Sequence, residues 1–333
     1  MYILGIETSC DETSVSIVED GKKIIVNEIY TQKIHEKFGG VVPEVASRNH
    51  IIKLFEVLEA ALSESQLKLS DIDAVAVTQG PGLLGALLVG LNAAKSLAYA
   101  LDIPLIPVNH IEAHLFANIL TYPDLKPPFL GIILSGGHTT MVNVSDFHEY
   151  KLIGETRDDA IGESFDKVAK LLGLGYPGGP IIDKLAKKGD ENKYEFPIPV
   201  PGDSFYDFSF SGLKSAVRRF VDDNNQFNVE DVAASFQKAA VEAIILRLKR
   251  YIEENKINTV VAAGGVAANS YLRSKMKNLA EKFNVNYYFP PLKLCTDNAA
   301  MIASLGYYLL KKNGPLPKEK FLKLNAKARM DIY

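Results

Sequence analysis

Residues 2–18, YILGIETSCDETSVSIV, place two runs typical of β-strands on either side of a polar turn. We expect strands over residues 2–6 and 13–18, because both runs are rich in β-branched residues. A second unit of the same kind follows, with strands expected over residues 129–134 and 139–144 around Ser135-Gly136-Gly137-His138. The repeated pattern of strand, small-residue turn and strand predicts two similar lobes that arose by internal duplication.

Around these two units the chain alternates short β-rich runs with helical patterns, which predicts an α/β fold. Further strands are expected over residues 23–30, 74–77, 105–108 and 259–263, and helices over residues 43–62, 83–100 and 110–120. In the first helix, apolar residues recur at helical spacing: Ile51, Leu54, Phe55, Leu58 and Leu62. The proline-rich segment 122–128 is the best candidate linker. Segment 30–48 is expected to form a mobile loop that closes over substrate.

The composition is that of an ordinary globular protein. Of 333 residues, 47% are hydrophobic and 23% charged, which excludes a disordered chain. The most apolar stretch, residues 83–94, is too short to cross a bilayer. The first residues lack the layout of a signal peptide, and two cysteines, Cys10 and Cys295, cannot form a disulfide framework. We therefore expect a cytoplasmic protein with no membrane contact.

The net charge of −3, from 37 basic and 40 acidic residues, gives no indication of a nucleic-acid partner. Locally the balance differs, because residues 311–333 hold seven basic residues and two acidic ones. Two further basic clusters are Lys214, Arg218 and Arg219, and Arg247, Lys249 and Arg250. Each cluster is either a solvated face or, if the clusters share one side of the protein, part of a track for phosphates.

Several glycine turns follow predicted strands, where backbone N–H groups can approach an anion closely. They are Gly80-Pro81-Gly82, Ser135-Gly136-Gly137, Tyr176-Pro177-Gly178-Gly179-Pro180 and Gly264-Gly265. A single such pair is usually only a turn, but four of them favour a phosphate or nucleotide site. None matches a P-loop or the dinucleotide-binding fingerprint.

His110 and His114 lie four residues apart, so that both imidazoles share one face of the predicted helix and can reach one metal ion. The zinc-protease pattern requires Glu directly after the first histidine, but Ile111 stands there and Glu112 points away from the histidine face. A third ligand must come from elsewhere, and Asp297 is the candidate. Asp297 is as well explained as the N-cap of the helix that follows it.

Two acids in the first turn, Asp11 and Glu12, are either solvated or serve as a general base. The acidic run from Asp158 to Asp166 is typical of a helix N-terminus or an exposed face. Cys10 has no histidine near it in the sequence, and neither Cys10 nor Cys295 is predicted to be a nucleophile.

Ten motifs in order make the chain recognisable. They are GIETSCDET (5–13), GGVVPEVASR (39–48), GPGL (80–83), HIEAH (110–114), SGGHT (135–139), GESFDK (162–167), YPGGP (176–180), DFSFSGLK (207–214), AGGVAAN (263–269) and CTDN (295–298). Over nearly its whole length the chain resembles the TsaD family of tRNA N6-adenosine threonylcarbamoyltransferases, in its bacterial branch.

The resemblance implies an actin-like ATPase fold of the sugar-kinase and Hsp70 type, with two RNase-H-like lobes around a nucleotide cleft. It implies transfer of the threonylcarbamoyl group of threonylcarbamoyl-AMP to N6 of the adenosine 3′ of the anticodon in tRNAs that read ANN codons. The implied partners are the tRNA substrate, a TsaB-like paralogue and a TsaE-like small ATPase. We expect the first lobe over residues 1–108, with residues 305–333 packing back on it, and the second lobe over residues 109–304 with the metal and nucleotide sites.

Position by position, the resemblance assigns one divalent ion, iron or zinc, to His110, His114 and Asp297. It assigns contacts with the nucleotide (ATP, ADP or threonylcarbamoyl-AMP) to Ile133, Leu134, Ser135, Gly136, Gly137, Asp166, Gly179 and Asn269, and Asp183 is a further candidate. The ion would polarise a carbamoyl or phosphate oxygen, and the N–H groups of residues 135–137 would add positive potential. Asp11 or Glu12 would accept the proton of the attacking amine.

Two alternatives from other classes remain at this point. A small-molecule kinase or ATPase of the same fold would need no paired histidines, and a non-catalytic nucleotide-binding scaffold would be expected to lose the ligand residues. The protease interpretation is excluded by the position of Glu112.

Overall fold

The computed structural model describes residues 1–200 and 204–332. The strands are β1 Tyr2–Glu7, β2 Glu12–Glu19, β3 Lys23–Thr31, β4 Ala74–Gly80, β5 Leu105–Asn109, β6 Phe129–Leu134, β7 Thr139–Asp146, β8 Glu149–Glu155, β9 Thr259–Ala263 and β10 Asn286–Tyr288. The helices are α1 Pro43–Ser65, α2 Leu84–Leu101, α3 His110–Thr121, α4 Ile161–Leu171, α5 Gly178–Ala186, α6 Ser211–Asp223, α7 Val229–Asn255, α8 Ser270–Phe283, α9 Ala299–Asn313 and α10 Lys318–Phe321. Each predicted strand and helix is present, with ends that differ by a few residues at most.

The strands form two five-stranded sheets with the same topology. The first sheet has the order β3-β2-β1-β4-β5 and the second the order β8-β7-β6-β9-β10. In the first, β1 pairs antiparallel with β2 and parallel with β4. In the second, β6 pairs antiparallel with β7 and parallel with β9. The duplication predicted from the repeated strand–turn–strand unit is thereby confirmed.

The chain divides into two compact units. Unit one comprises Met1–Leu125 and Thr296–Ile332, and unit two comprises Lys126–Cys295. The first boundary lies inside the proline-rich segment 122–128 rather than at the expected 108/109, because α3 packs against α9 and the ends of β4 and β5 in unit one. The return to unit one occurs before α9 rather than at 304/305. His110, His114 and Asp297 therefore all belong to unit one, whereas the expected boundaries placed them in the second lobe.

Strand β1 is buried on both faces, as is typical of a sheet covered by helices on each side. Leu4 and Ile6 belong to the hydrophobic cluster that α1 and α2 complete. Gly5 faces the opposite way, toward α9, where a Cβ would lie 2.2 Å from the carbonyl oxygen of Ala299. The absence of a side chain at Gly5 lets α9 approach the sheet closely, which places the residues just before α9 at the end of β1.

Helix α2 has 18 residues and a mean hydropathy of 1.4, so by length and composition alone it is long enough to cross a membrane. It is longer than the apolar stretch 83–94 considered in the sequence. In unit one it packs against β4 and α1, and its buried residues are Ala86, Leu87, Gly90, Leu91, Ala94 and Ala98. A stripe of small buried residues against a sheet is typical of a core helix of a globular protein.

Helix α1 begins at Pro43 as predicted, but it turns a different face inward than its apolar spacing suggests. Its buried residues are Ala46, His50, Leu54, Leu58 and Ala61, whereas Ile51 and Phe55 are 62% and 56% exposed. Segment 30–48, expected to be a mobile loop, consists of the end of β3, a 3-10 helix at Lys33–Phe38 and the first turns of α1. The buried side chain of His35 in this segment bonds Gln32 and the backbone N–H of Val42, so the loop prediction was wrong for most of its length.

In unit two the long helix α7 carries a buried arginine. Arg247 has no exposed surface and donates to the carbonyl oxygens of Asp207, Ala243 and Pro199 at 2.7, 2.6 and 3.0 Å. Burial lowers its pKa to about 10. Neither alternative considered for this cluster, a solvated face or part of a track for phosphates, holds for Arg247, because its guanidinium is buried and bonds neighbouring backbone.

Candidate active site

The first site residues lie where the parallel strands of unit one end. Strand β5 ends at Asn109, whose side chain accepts hydrogen bonds from the N–H groups of Ile111 and Glu112 at 2.9 and 3.3 Å. This N-cap starts α3 at His110. Because α3 is regular, His110 and His114 lie one turn apart on the same face, with ring centroids 4.7 Å apart.

The third residue reaches this pair from the start of α9. Asn298, not Asp297, caps that helix, since its side-chain oxygen accepts from the N–H of Met301 at 3.2 Å. The carboxylate of Asp297 is thus available, and its Oδ1 lies 3.4 Å from Nε2 of His110 and 3.3 Å from Nε2 of His114. One potential ligand atom from each residue lies within 4.8 Å of the others.

The chemistry of these three side chains fits a divalent transition-metal ion. Two imidazoles and one carboxylate are a donor set used for zinc and for iron, with open positions left for water or substrate. His114 has no exposed surface. In the described part of the chain its Nδ1 has no hydrogen-bond partner, and its Nε2 makes no hydrogen bond although Oδ1 of Asp297 lies 3.3 Å away. A buried polar atom of this kind costs free energy unless it is satisfied, and a metal ion would satisfy Nε2.

Glu7 completes the surroundings of His110. It is fully buried at the end of β1, and its Oε2 lies 2.9 Å from Nδ1 of His110 and accepts from the hydroxyl of Thr78 at 2.6 Å. Its Oε1 accepts from the N–H of Ser9 at 2.5 Å. A carboxylate here holds the proton on Nδ1 and leaves Nε2 for a metal ion. The sequence pattern places Glu7 in the polar turn after the first strand and predicts no role for it; the indication that could have found it is an acid at the end of a buried strand.

The close contacts among His110, Asp297 and Glu7 shift the pKa values of His110 and Asp297. Burial alone would lower the pKa of His110, but the carboxylates of Asp297 and Glu7 raise it well above its ordinary value. Burial would raise the pKa of Asp297, but His110 and His114 hold it far below its usual range. The two carboxylates thus favour positive charge at His110, and a bound cation would compete with a proton for its Nε2.

The turn after β1 holds Asp11 and Glu12, the predicted general bases, in the same unit. Burial, followed by the nearby carboxylates of Asp11 and Asp297, raises the pKa of Glu12 well above its ordinary value. Burial and the same carboxylates also raise the pKa of the Cys10 thiol, which agrees with the expectation that Cys10 is no nucleophile. His50 stabilises the turn, since its Nε2 lies 2.9 Å from the Cys10 carbonyl oxygen.

In unit two the corresponding strand end carries Ser135-Gly136-Gly137. Ile133 and Leu134 lie within β6 and have no exposed surface, and Ser135 is buried as well. Of residues 133–137, Gly136 and Gly137 are exposed. A Cβ at Gly136 or Gly137 would meet nothing within 4 Å. By contrast, a Cβ at Gly162 would lie 2.6 Å from the Ser135 carbonyl oxygen. The start of α4 thus supports the turn while leaving its outer side open.

The remaining predicted nucleotide residues are linked by hydrogen bonds within unit two. Asp166 on α4 accepts from the N–H of Gly178 at 2.7 Å, and Asp183 on α5 accepts from the hydroxyl of Ser270 at 2.8 Å. Asn269 caps α8 through the N–H of Leu272 and donates to Gln237. A Cβ at Gly179 would meet nothing within 4 Å. These contacts hold α4, α5 and α8 around one open glycine.

The duplicated sheet topology defines an actin-like ATPase fold, and solved structures share it. HypF of T. kodakarensis aligns with a TM-score of 0.63 at 16% identity, over 96% of this chain and 49% of that one. Component A of the (R)-2-hydroxyglutaryl-CoA dehydratase of Acidaminococcus fermentans aligns with a TM-score of 0.57 at 16% identity, over 97% and 100%. The chain therefore belongs to the class of proteins with this ATPase fold. Unit one also carries the two-histidine, one-carboxylate site.

Sequence comparison identifies the family within that class. The family model described as "TsaD: tRNA N6-adenosine threonylcarbamoyltransferase" matches residues 23–304, and this chain belongs to the TsaD family. Relatives carrying the name tRNA N6-adenosine threonylcarbamoyltransferase include those of Caldicellulosiruptor bescii (54% identity, 94% of both chains) and Clostridioides difficile (52%, 92% of both). That of Thermotoga neapolitana is 49% identical over 100% of both chains. The kinase and scaffold alternatives are not favoured by these relatives, which are named as transferases.

Proposed function

We propose that this chain transfers the threonylcarbamoyl group of threonylcarbamoyl-AMP to N6 of the adenosine 3′ of the anticodon in tRNAs that read ANN codons. The observation that carries the proposal is the match to the TsaD family over residues 23–304. The group of His110, His114 and Asp297, in which both histidines are buried, supports it, because it offers the metal site that the resemblance implies.

His110, His114 and Asp297 would hold one divalent ion, iron or zinc. When bound, the ion would supply Lewis-acid stabilisation of negative charge on a carbamoyl or phosphate oxygen. Glu7 would orient His110 through Nδ1, and Ser9, whose Oγ lies 3.3 Å from the same nitrogen, would help to keep the ring in place.

In unit two, the nucleotide of the donor would bind at Ser135, Gly136 and Gly137, where the two exposed glycines offer backbone N–H groups to an anion. Ser135 is buried and its N–H donates to the His138 carbonyl oxygen at 2.8 Å, so it would shape the turn. Ile133 and Leu134 would contribute backbone only, since their side chains are buried. Gly179 would contribute an open surface for the nucleotide. Asp166, Asp183 and Asn269 would orient the surrounding helices as well as contact the ligand. ATP or ADP would occupy the same residues.

The chemical step is an acyl transfer. The N6 amine forms a bond to the carbamoyl carbon, the bond from that carbon to the phosphate oxygen breaks, and AMP leaves with the electron pair. The amine proton would pass to the carboxylate of Glu12, with Asp11 as the alternative acceptor. Burial and the nearby carboxylates of Asp11 and Asp297 raise the pKa of Glu12, so that its carboxylate, when ionised, holds a proton more strongly than an ordinary one.

The test is a reconstitution with threonylcarbamoyl-AMP and unmodified tRNA, with and without partner proteins. Modified tRNA and free AMP are expected for the wild-type chain. The variant His110→Ala/His114→Ala should retain its fold by circular dichroism and lose both bound metal and transfer. His148→Asn, in the β7–β8 turn, is a control that should retain both. Full modification by the double variant would refute the metal role, and a phosphorylated small molecule would point to the kinase alternative.

We also propose that the chain acts in the cytoplasm with a TsaB-like paralogue and a TsaE-like ATPase. In support, Ile51, Ile52 and Phe55 on α1 are 62%, 61% and 56% exposed, and clustered exposed apolar side chains of this kind mark protein interfaces. We assign this surface to the TsaB-like paralogue. Phe55→Glu should abolish co-purification with it, whereas Leu322→Glu, at another exposed apolar side chain of unit one, should not.

A further inference from the structure

The last part of the chain crosses unit one as a segment that begins with the short helix α10 and continues without regular secondary structure, here called the C-terminal strap (residues 318–331). It starts with Lys318, which pairs with Asp102 just before β5, and it inserts Phe321, 2% exposed, into the core. Lys95 of α2 then donates to the carbonyl oxygen of Leu324. The strap therefore begins at the amino-terminal ends of the parallel strands of unit one.

The strap ends beside the site residues. The N–H of Lys327 donates to the carbonyl oxygen of Gln79 at 2.9 Å, and the N–H of Gly82 donates to Ala328 at 3.3 Å. The side chain of Asn109, the residue directly before His110, donates to the carbonyl oxygen of Asp331 at 2.9 Å. A Cβ at Gly80 would lie 2.1 Å from the Lys327 carbonyl oxygen, so Gly80 permits this close approach.

A short chain of contacts joins the strap to the metal-binding residues. Gly82, which bonds Ala328, is followed by Leu83, whose N–H donates to the Ser9 carbonyl oxygen at 2.8 Å. The hydroxyl of Ser9 in turn lies 3.3 Å from His110. Contacts through Gly82, Leu83 and Ser9 therefore connect residues 327–329 to His110. Residues 327–329 lie at the carboxyl ends of the strands, where ligands of open α/β sheets bind.

Two cations of the strap are free at this place. Lys327 and Arg329 are exposed, and over the described ranges 1–200 and 204–332 no carboxylate pairs with either side chain. Lys318 at the other end is neutralised by Asp102. Because hydrogen bonds hold the backbone of the strap on both sides of these residues, the backbone loses little conformational entropy when an anion binds their side chains.

We propose that Lys327 and Arg329 bind backbone phosphates of the tRNA next to the adenosine that enters the site. The inference rests on the proposed function, since an RNA that presents a base to the metal site brings the flanking phosphates to the same edge of unit one. Phosphate contacts position a nucleic acid without reading its sequence, so this surface would serve every tRNA substrate alike.

The strap supplies its own matched control. Lys320 and Lys323 are also exposed and unpaired in the described chain, but they lie near the amino-terminal ends of the strands. The variants Lys327→Ala/Arg329→Ala and Lys320→Ala/Lys323→Ala remove the same charge from the same segment. Binding of unmodified tRNA to the full chain, alone and with its partner proteins, is measured at several salt concentrations, together with bound metal and thermal stability.

Lys327→Ala/Arg329→Ala is expected to weaken tRNA binding severalfold and to lower the slope of log affinity against log salt by about 2, because each lost phosphate contact removes about 1. Its KM for tRNA should rise while kcat at saturating tRNA and bound metal stay unchanged. Lys320→Ala/Lys323→Ala should match the wild type. Equal effects of the two variants, no effect of either, or loss of a protein partner with tRNA affinity intact would overturn the inference. Binding without modification by the wild type would refute the proposed function and leave the binding comparison decisive.

Discussion

Oε2 of Glu7 lies 2.9 Å from Nδ1 of His110, although the two residues are 103 positions apart in the chain. The contact joins the end of β1 to the first turn of α3, and both groups are buried. It gives the site a carboxylate–histidine pair in which the ring is held by one nitrogen and presents the other.

Replacing Glu7 with Gln should weaken metal binding about 10- to 100-fold, because the outer carboxylate that orients His110 is lost. Affinity is measured by competition with a chromogenic chelator, independently of tRNA modification. Thr78→Val, which removes a hydrogen bond to Glu7, should have a smaller effect. Glu19→Gln, at an exposed ion pair on β2, should have none. Unchanged metal affinity in Glu7→Gln would show that the contact does not position the ligand.

His50 should make stability depend on pH. Burial lowers the pKa of His50 from 6.5, so the folded chain keeps the ring neutral at pH values where the unfolded chain binds a proton. Its contribution is complete above pH 6.5 and is lost as the pH falls below 6.5 and through the lower pKa of the folded state. His50→Gln should be less stable at pH 8, by about 1 kcal/mol for each lost hydrogen bond, and the difference from wild type should shrink toward pH 5. Urea unfolding at both pH values measures it; a constant difference would contradict the assignment.

Gly136 in the Ser135 turn and Gly162 at the start of α4 should respond differently to replacement by alanine. Gly136→Ala should leave the free energy of unfolding nearly unchanged, because its Cβ meets nothing, but it should weaken binding of an adenine nucleotide. Gly162→Ala should cost about 1–3 kcal/mol of stability, since its Cβ would clash with the Ser135 backbone. Denaturant unfolding and nucleotide titration separate the effects. Normal nucleotide binding by Gly136→Ala would remove this turn from the proposed site.

Arg247→Met should destabilise unit two by about 2–4 kcal/mol, because three backbone carbonyl groups lose a charged donor in a buried position. Arg250→Met, one turn further along α7 and exposed, should change stability little. The salt dependence of tRNA binding should be the same for Arg247→Met as for the wild type, measured below its unfolding temperature. A selective loss of tRNA affinity would restore Arg247 to the phosphate surface.

Local patterns determined most of the fold. The repeated strand–turn–strand units predicted the duplicated sheets, and the spacing of His110 and His114 predicted two imidazoles on one helical face. Side chains alternate every two residues in strands and recur every 3.6 residues in helices, so both features can be recognised within a short stretch of sequence. The ten ordered motifs, taken together, also identified the family, because their combination is far more specific than any one of them.

What the local patterns left open concerns residues far apart in the chain. In the sequence Asp297 was equally well explained as a metal ligand and as the N-cap of the following helix, and only the structure showed that Asn298 caps α9 and that Asp297 lies beside the histidines. The same holds for Ile51 and Phe55 of α1, where the apolar spacing could not show which face the sheet covers.

The sequence by itself determined the strands and helices, the duplication, the family and the histidine pair. The tertiary structure decided the partner of His110, the burial of Arg247 and the path of the basic C-terminal strap to the edge of the site. The physical reason is that helix and strand patterns arise from neighbours within a few residues, whereas burial and ion pairing depend on packing between segments that the chain brings together only on folding.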